Sequence, residues 1–147
     1  MRALGHHDSG KACRAEHIPE PGAYYVYDIG DRSALIVRGP DGSVRAFYNS
    51  CLHRGTQLKP PATSGYSPKL RCPFHGWTWD LDGALVDLPC EWDFPHVDAE
   101  EFQLPQIRTG QWGGFIFVNF DDCAPELMAP PLEEYLGATG RLGIDLL

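Results

Sequence analysis

Residues 51–77 read CLHRGTQLKPPATSGYSPKLRCPFHGW. Two pieces of this stretch match in kind: Cys51-Leu52-His53 and Cys72-Pro73-Phe74-His75 each offer one thiol and one imidazole. Thiolate and imidazole are ligands of zinc and of iron. A gap of one or two residues lets both side chains of a loop face one centre. Eighteen residues lie between His53 and Cys72, so a shared centre would staple neighbouring hairpins together. Three readings compete. One zinc ion could be closed in a tetrahedron by two Cys and two His. A two-iron, two-sulfide cluster could take the cysteines on one iron and the histidines on the other. Or the four residues could be unrelated, which the repeated spacing in two Gly- and Pro-bearing loops argues against. Ligand identity alone does not separate zinc from iron and sulfide.

On either side the pattern is that of short strands. Tyr24 to Ile29 and Ser33 to Arg38 are rich in aromatic and β-branched residues, and Gly39-Pro40-Asp41-Gly42 supplies a turn before Val44 to Tyr48. Asn49 to Pro61 reads as a loop, and a short strand around Lys69 to Arg71 leads into a second loop, Cys72 to Gly76. Trp77 to Asp80 and Ala84 to Val86 flank a Leu81-Asp82-Gly83 turn as a hairpin. The acidic run Glu91 to Glu101 has room for one helical turn. Leu104 to Thr109 and Phe115 to Asn119 are two further strands, parted by Gly110 and Gly113-Gly114. Pro131 to Leu136 suits a short helix start, with Pro in the first turn and Glu133 and Glu134 at the favourable end of the dipole. The first 22 residues are polar and without strong periodicity.

At 147 residues and 16.3 kDa the chain has the size of one domain, long enough to bury a core without disulfides. With 43% hydrophobic and 22% charged residues, the composition is that of a soluble globular domain. A net charge of −8 argues against nucleic-acid or anionic-membrane partners. No apolar run approaches the roughly 20 residues that span a bilayer, and the start lacks the apolar core of a signal peptide. A cytoplasmic location is the expectation. Five cysteines leave one over in any disulfide framework. Cys13, Cys90 and Cys123 have no histidine company and read as ordinary thiols.

The residues flanking the ligand pairs separate zinc from iron. Cys51-Leu-His-Arg-Gly-Thr56 and Cys72-Pro-Phe-His-Gly-Trp77 resemble the two cluster-binding boxes of Rieske proteins, most closely those of ring-hydroxylating oxygenase α subunits. The resemblance runs from about Tyr24, through the Trp77-to-Gly83 hairpin and Gly113 to Asn119, into Pro131-Leu-Glu-Glu-Tyr-Leu136. It implies an all-β fold, a small antiparallel Rieske-type sandwich with a cluster-binding subdomain and a short C-terminal helix. Residues 1–22 would be a lead-in, 23–122 the Rieske domain, and 123–147 a linker toward a catalytic domain that is absent. It also implies one [2Fe-2S] cluster on Cys51, His53, Cys72 and His75, the histidines being where electrons arrive and leave. The chain would carry electrons from a reductase or ferredoxin to a mononuclear iron that mono- or dioxygenates an aromatic or related substrate. A stand-alone Rieske ferredoxin is one alternative, and a zinc-stabilised interaction module another.

Departures from the pattern add detail. Respiratory Rieske proteins carry a further cysteine in each loop, joined as a disulfide; Thr56 and Phe74 stand there in this chain. A potential toward the lower part of the Rieske range, roughly −150 to +300 mV, is therefore expected. Gly55 and Gly76 would let backbone approach the sulfides, and Trp77 is either a lid over the loops or a core aromatic. Asp93-Phe-Pro-His96 resembles the start of a mononuclear iron site, but Glu101 stands where a second histidine would fall. No catalytic residue is assigned. Between Cys51 and Trp79 there are four basic residues (Arg54, Lys59, Lys69, Arg71) and no acidic one, a candidate electropositive collar for an acidic electron donor.

Overall fold

The computed structural model describes residues 9–121 of the chain. These form ten strands: β1 Ser9–Arg14, β2 Ala23–Ile29, β3 Arg32–Arg38, β4 Val44–Tyr48, β5 Ser64–Tyr66, β6 Leu70–Arg71, β7 Thr78–Trp79, β8 Leu85–Asp87, β9 Gln106–Trp112 and β10 Phe115–Asn119. Two single-turn 3-10 helices, Ala15–His17 and Glu91–Asp93, are the helical pieces among the described residues. Seven strands make one antiparallel sheet in the order β1-β10-β9-β4-β3-β2-β5, and β6-β7-β8 make a second, smaller one. The all-β expectation holds.

β3 decides how the layers meet. Its Ala34-Leu35-Ile36-Val37 run is buried throughout, which a strand achieves only when both of its faces are covered. Ala34 and Ile36 enter a core with Ala46 of β4, Ile107 of β9, and Ile116 and Val118 of β10. The large sheet therefore curls, its β1-β10-β9 end lying across the β2-β3-β4 face. Leu35 and Val37 point the other way, into a core with Phe47, Trp77, Trp79, Leu81 and Leu85. That second core joins the large sheet to the small one, and it contains Cys51 and Cys72. The two Cys-His loops thus stand directly on packed apolar side chains.

Three elements differ from the sequence reading. β1 lies within the polar lead-in and pairs with β10, where Ala12 and Cys13 are buried; its pairing partner is a hundred residues away and leaves no local periodicity. β5 extends the sheet edge beside β2 and was not expected from Ser-Gly-Tyr. β9 continues through Gly110 to Trp112, and the turn falls on Gly113-Gly114, both with positive φ (57° and 77°). The helical turn expected in the acidic run is present at Glu91–Asp93. The proposed helix at Pro131 to Leu136, and Cys123, lie outside the described residues.

Burial of Cys13 in the curled core has a pH consequence. Desolvation pushes its thiol up from the ordinary 9.0 to about 11, against a smaller opposing pull from the Arg38 guanidinium. The unfolded chain releases this proton near 9.0 and the folded chain only near 11, so the contribution is complete below that window and is lost as pH rises through it. Cys13→Ala should cost about 1 kcal/mol at neutral pH. In denaturant titrations its deficit against the unsubstituted protein should shrink between pH 9.0 and about 11; a constant deficit would contradict the burial argument.

Candidate metal centre

The two ligand loops share one backbone frame. The Cys51 N–H donates to the Thr56 carbonyl at 2.8 Å and the Gly55 N–H to the Cys51 carbonyl at 2.8 Å. The Cys72 N–H donates to the Trp77 carbonyl at 2.8 Å and the Gly76 N–H to the Cys72 carbonyl at 3.2 Å. In each loop the cysteine bonds to the fourth and fifth residues after it, and the fourth is glycine with φ of +74° (Gly55) or +79° (Gly76). A β-carbon is strained there, which is why glycine closes both frames. The first loop follows β4 by two residues and the second joins β6 to β7. Histidine is the third residue in one frame and the fourth in the other, so the two rings sit at different depths: His53 is half-buried and His75 exposed.

The frames set Cys51 beside Cys72 and His53 beside His75. Cys51 and Cys72 are 3% and 2% exposed. Burial pushes the Cys51 thiol up and the neighbouring Cys72 thiol adds to this, while the backbone amides of His53 and Arg54 pull it down. The His53 and His75 rings are 4.6 Å apart, edge to face. Burial first, then His75 and Arg54, holds His53 toward its neutral form, and its buried Nδ1 has no hydrogen-bond partner. A neutral imidazole with a bare, buried nitrogen is the state that binds a metal. Sulfur neighbours sulfur and imidazole neighbours imidazole, the division a cluster with two cysteines on one iron and two histidines on the other requires.

Comparison with known proteins decides the family. The Rieske [2Fe-2S] domain family model matches residues 9–102. The chain belongs to the Rieske [2Fe-2S] domain family. It is 36% identical over 121 residues to the chlorobenzene dioxygenase α subunit of Cupriavidus sp. (strain PS12), covering 82% of this chain and 26% of that protein. It is also 36% identical over 143 residues to the glycine betaine monooxygenase oxygenase subunit of Chromohalobacter salexigens, covering 92% of this chain and 31% of that one. Among solved structures, naphthalene 1,2-dioxygenase superposes with a TM-score of 0.76 at 31% identity, over 91% of this chain and 29% of that chain. The apo quaternary ammonium Rieske monooxygenase gives 0.79 at 28% identity, over 95% and 39%. The chain thus spans a quarter to a third of the curated relatives it matches. The cofactor of the family is one Rieske-type cluster.

Around the ligand loops the Rieske domain builds an aromatic shell. Trp77, 2% exposed, lies parallel to His53 (centroids 5.0 Å, 4°), so it is at once a core residue and a cover for the first loop. Phe94 stands edge-on to both rings, 5.3 Å from His53 and 5.2 Å from Trp77. Phe102 flanks Trp77 at 6.1 Å, and its carbonyl accepts from the Trp79 indole at 2.9 Å. Phe94 and Phe102 were missed in the sequence, where charge dominates their segment; two aromatics within an acidic loop were the available signal. On the outer side Phe74, 64% exposed, packs against His75 at 4.0 Å.

The remaining candidates separate cleanly. Cys13, Cys51, Cys72 and Cys90 are free thiols among the described residues, with Cys90 exposed on the surface. His96 and Glu101 are exposed, and the ring contact of His96 is with Phe94 at 6.4 Å. Arg54, Lys69 and Arg71 are exposed around the loops, but Lys59 is half-buried. Its Nζ lies 5.0 Å over the Tyr24 ring and donates to Ser67 Oγ at 3.0 Å. Lys59 is therefore a structural cation, and the collar reduces to three residues.

The paired glycines give a test of the frame. A β-carbon on Gly76 would meet Arg71 Nη2 at 3.1 Å and Pro89 Cγ at 3.4 Å, whereas one on Gly55 would meet only Ser50 Oγ, at 3.7 Å. Gly55→Ala should cost about 1–2 kcal/mol from the positive φ alone, and Gly76→Ala more. Equal denaturation midpoints for the two variants would show that crowding at the second loop has been misread.

Proposed function

We propose that Cys51, His53, Cys72 and His75 hold the cluster, with the cysteines on one iron and the histidines on the other. The observation that carries this is the repeated loop frame, which sets the thiols side by side and leaves His53 Nδ1 buried and bare. A Rieske cluster, when bound, supplies a reversible one-electron change. The chain's own residues set its surroundings. Backbone amides of His53 and Arg54 face the Cys51 sulfur, which favours its deprotonated form. Trp77 and Phe94 exclude water from the His53 side. His75, exposed beside Phe74, is the contact through which electrons pass. With Thr56 and Phe74 in place of the disulfide cysteines, the potential falls toward the lower part of the family range.

The domain's role is to accept single electrons from a reductase or ferredoxin and to deliver them to a mononuclear iron, as the Rieske part of an oxygenase α subunit. Support comes from relatives of both kinds at equal identity, a chlorobenzene dioxygenase and a glycine betaine monooxygenase. What a ring dioxygenase and an amine monooxygenase have in common is electron delivery rather than substrate. Residues 123–147 then serve as the linker toward the iron-bearing domain, and the cytoplasm as the compartment. Arg54, Lys69 and Arg71 steer an acidic donor to the exposed His75 edge.

The purified protein should carry two irons and two sulfides per chain and give a Rieske EPR signal after dithionite reduction. Cys51→Ser, Cys72→Ser, His53→Ala and His75→Ala should each abolish that signal, and Cys13→Ala and Cys90→Ala should keep it. A colourless protein with one bound zinc would overturn the assignment. For the docking face, Arg54→Glu with Lys69→Glu should slow reduction by the donor at least severalfold and flatten its salt dependence; an unchanged rate and slope would remove the collar from the account.

A further inference from the structure

Lys59 stands at the end of the first ligand loop, and the structure gives it contacts that run in both directions. On one side Asn49, 3% exposed, closes the loop at its base. Its Oδ1 accepts from the Lys59 backbone N–H at 3.0 Å and its Nδ2 donates to the Lys59 carbonyl at 2.8 Å. Two bonds between one side chain and one residue's backbone fix residues 49 and 59 relative to each other as a pair of ladder bonds would. A further bond from Asn49 Nδ2 to Ser33 Oγ at 3.1 Å and one from the Asn49 N–H to the Ser33 carbonyl at 3.0 Å tie this base to the β3 end.

On the other side the Lys59 side chain leaves the loop. Its Nζ donates to Ser67 Oγ at 3.0 Å, and Ser67 Oγ donates in turn to the Lys69 carbonyl. Lys69 is followed by Leu70, Arg71 and Cys72, so this hydroxyl sits at the root of the second ligand loop. Ser67 is itself held, its N–H donating to the Gly22 carbonyl at 2.8 Å. Beneath the bridge the Tyr24 ring offers its face to the ammonium at 5.0 Å. Tyr24 lies there because the opposing β5 residue is Gly65, whose β-carbon would come within 3.1 Å of the Tyr24 hydroxyl. An unbroken chain, Asn49 to Lys59 to Ser67 to Lys69, therefore connects the roots of both loops.

We propose that Lys59 is a positioning residue: its ammonium, bridging to Ser67, fixes the spacing of the two cluster loops. The proposal rests on the ligand assignment above only for its effect on the cluster; the mechanical link belongs to the polypeptide. The loops lie in different sheets, β4 leading into one and β6 into the other. The Cys51–Cys72 and His53–His75 contacts also join the loops; the Lys59–Ser67 bridge joins them at their roots, outside the ligand set. Hydrogen bonds to a charged group are the stronger kind.

Full-length Lys59→Met and Ser67→Ala, singly and together, test the bridge, with Lys69→Met as a control that removes a nearby exposed cation. The methionine keeps the stem over Tyr24 and deletes the donor. Hydrogen–deuterium exchange should show crossed effects whether or not iron is present. Lys59→Met should speed exchange across 69–77, and Ser67→Ala should speed it across 50–58, each several-fold. In the iron-loaded protein both variants should release iron to a chelator roughly three- to tenfold faster and broaden the EPR lines. The double variant should be no worse than either single, and Lys59→Arg should restore much of the effect. In hydrogen exchange and iron release Lys69→Met should match the unsubstituted protein.

Exchange changes confined to each substituted loop, or additive effects in the double variant, would overturn the bridge. So would a matching effect of Lys69→Met, because charge near the loops would then be the cause. If the unsubstituted protein bound no iron–sulfur cluster, the ligand assignment would fall while the crossed exchange still decided the bridge.

Discussion

The centre depends on a backbone constraint before it depends on any ligand. Each cysteine lies at the head of a six-residue frame whose N–H and carbonyl bond to the residues five and four further on. In the first loop that closure turns the His53 and Arg54 amides toward the Cys51 sulfur. Because the frame is the same in both loops, histidine placement within it sets how deep each imidazole lies. Two sequences with only Cys, His and Gly in common therefore produce equivalent halves with unequal exposure.

The packing beneath makes the frames rigid. Leu35, Val37 and Phe47 from the large sheet meet Trp77, Trp79 and Leu85 from the small one, and the cysteines are part of the same core. Moving a sulfur would mean opening close-packed side chains. Aromatic rings extend that core outward: Trp77 lies flat on His53 and Phe94 closes its edge. Weakly polarisable surroundings strengthen every charge interaction inside them. The amides aimed at Cys51 thus count for more than they would at a surface.

What could be read from the sequence follows from how local each signal is. The Rieske family was legible because residue type, spacing and closing glycine of each Cys-His box all lie within six residues. β2, β3 and β4 were legible for the same reason, their β-branched runs being bounded by turn residues. β1 was not, since Ala12 and Cys13 are buried only by a strand from the far end of the domain. Ser64–Tyr66 carries no strand signal of its own and acquires order from β2. Phe94 and Phe102 were hidden by the acidic residues around them. Lys59 shows the limit most plainly. Counting charges placed it in a solvent-facing collar, whereas its direction, over Tyr24 and onto Ser67, is a property of the fold.

The open margins of the large sheet have a colloidal consequence. Among the described residues β1 and β5 are its outermost strands, the positions from which a sheet can pair with a strand of another molecule. Both are poor templates. β5 has only three residues and rises from a loop, so it is too short to seed a ladder. β1 slips register between Lys11 and Cys13, and Lys11 places its ammonium 4.6 Å over Phe115. A bulge and a lysine on an edge strand are features that discourage edge-to-edge pairing with another strand. The flanks of the described sheet are thereby disfavoured as sites where one copy could extend the ladder of another.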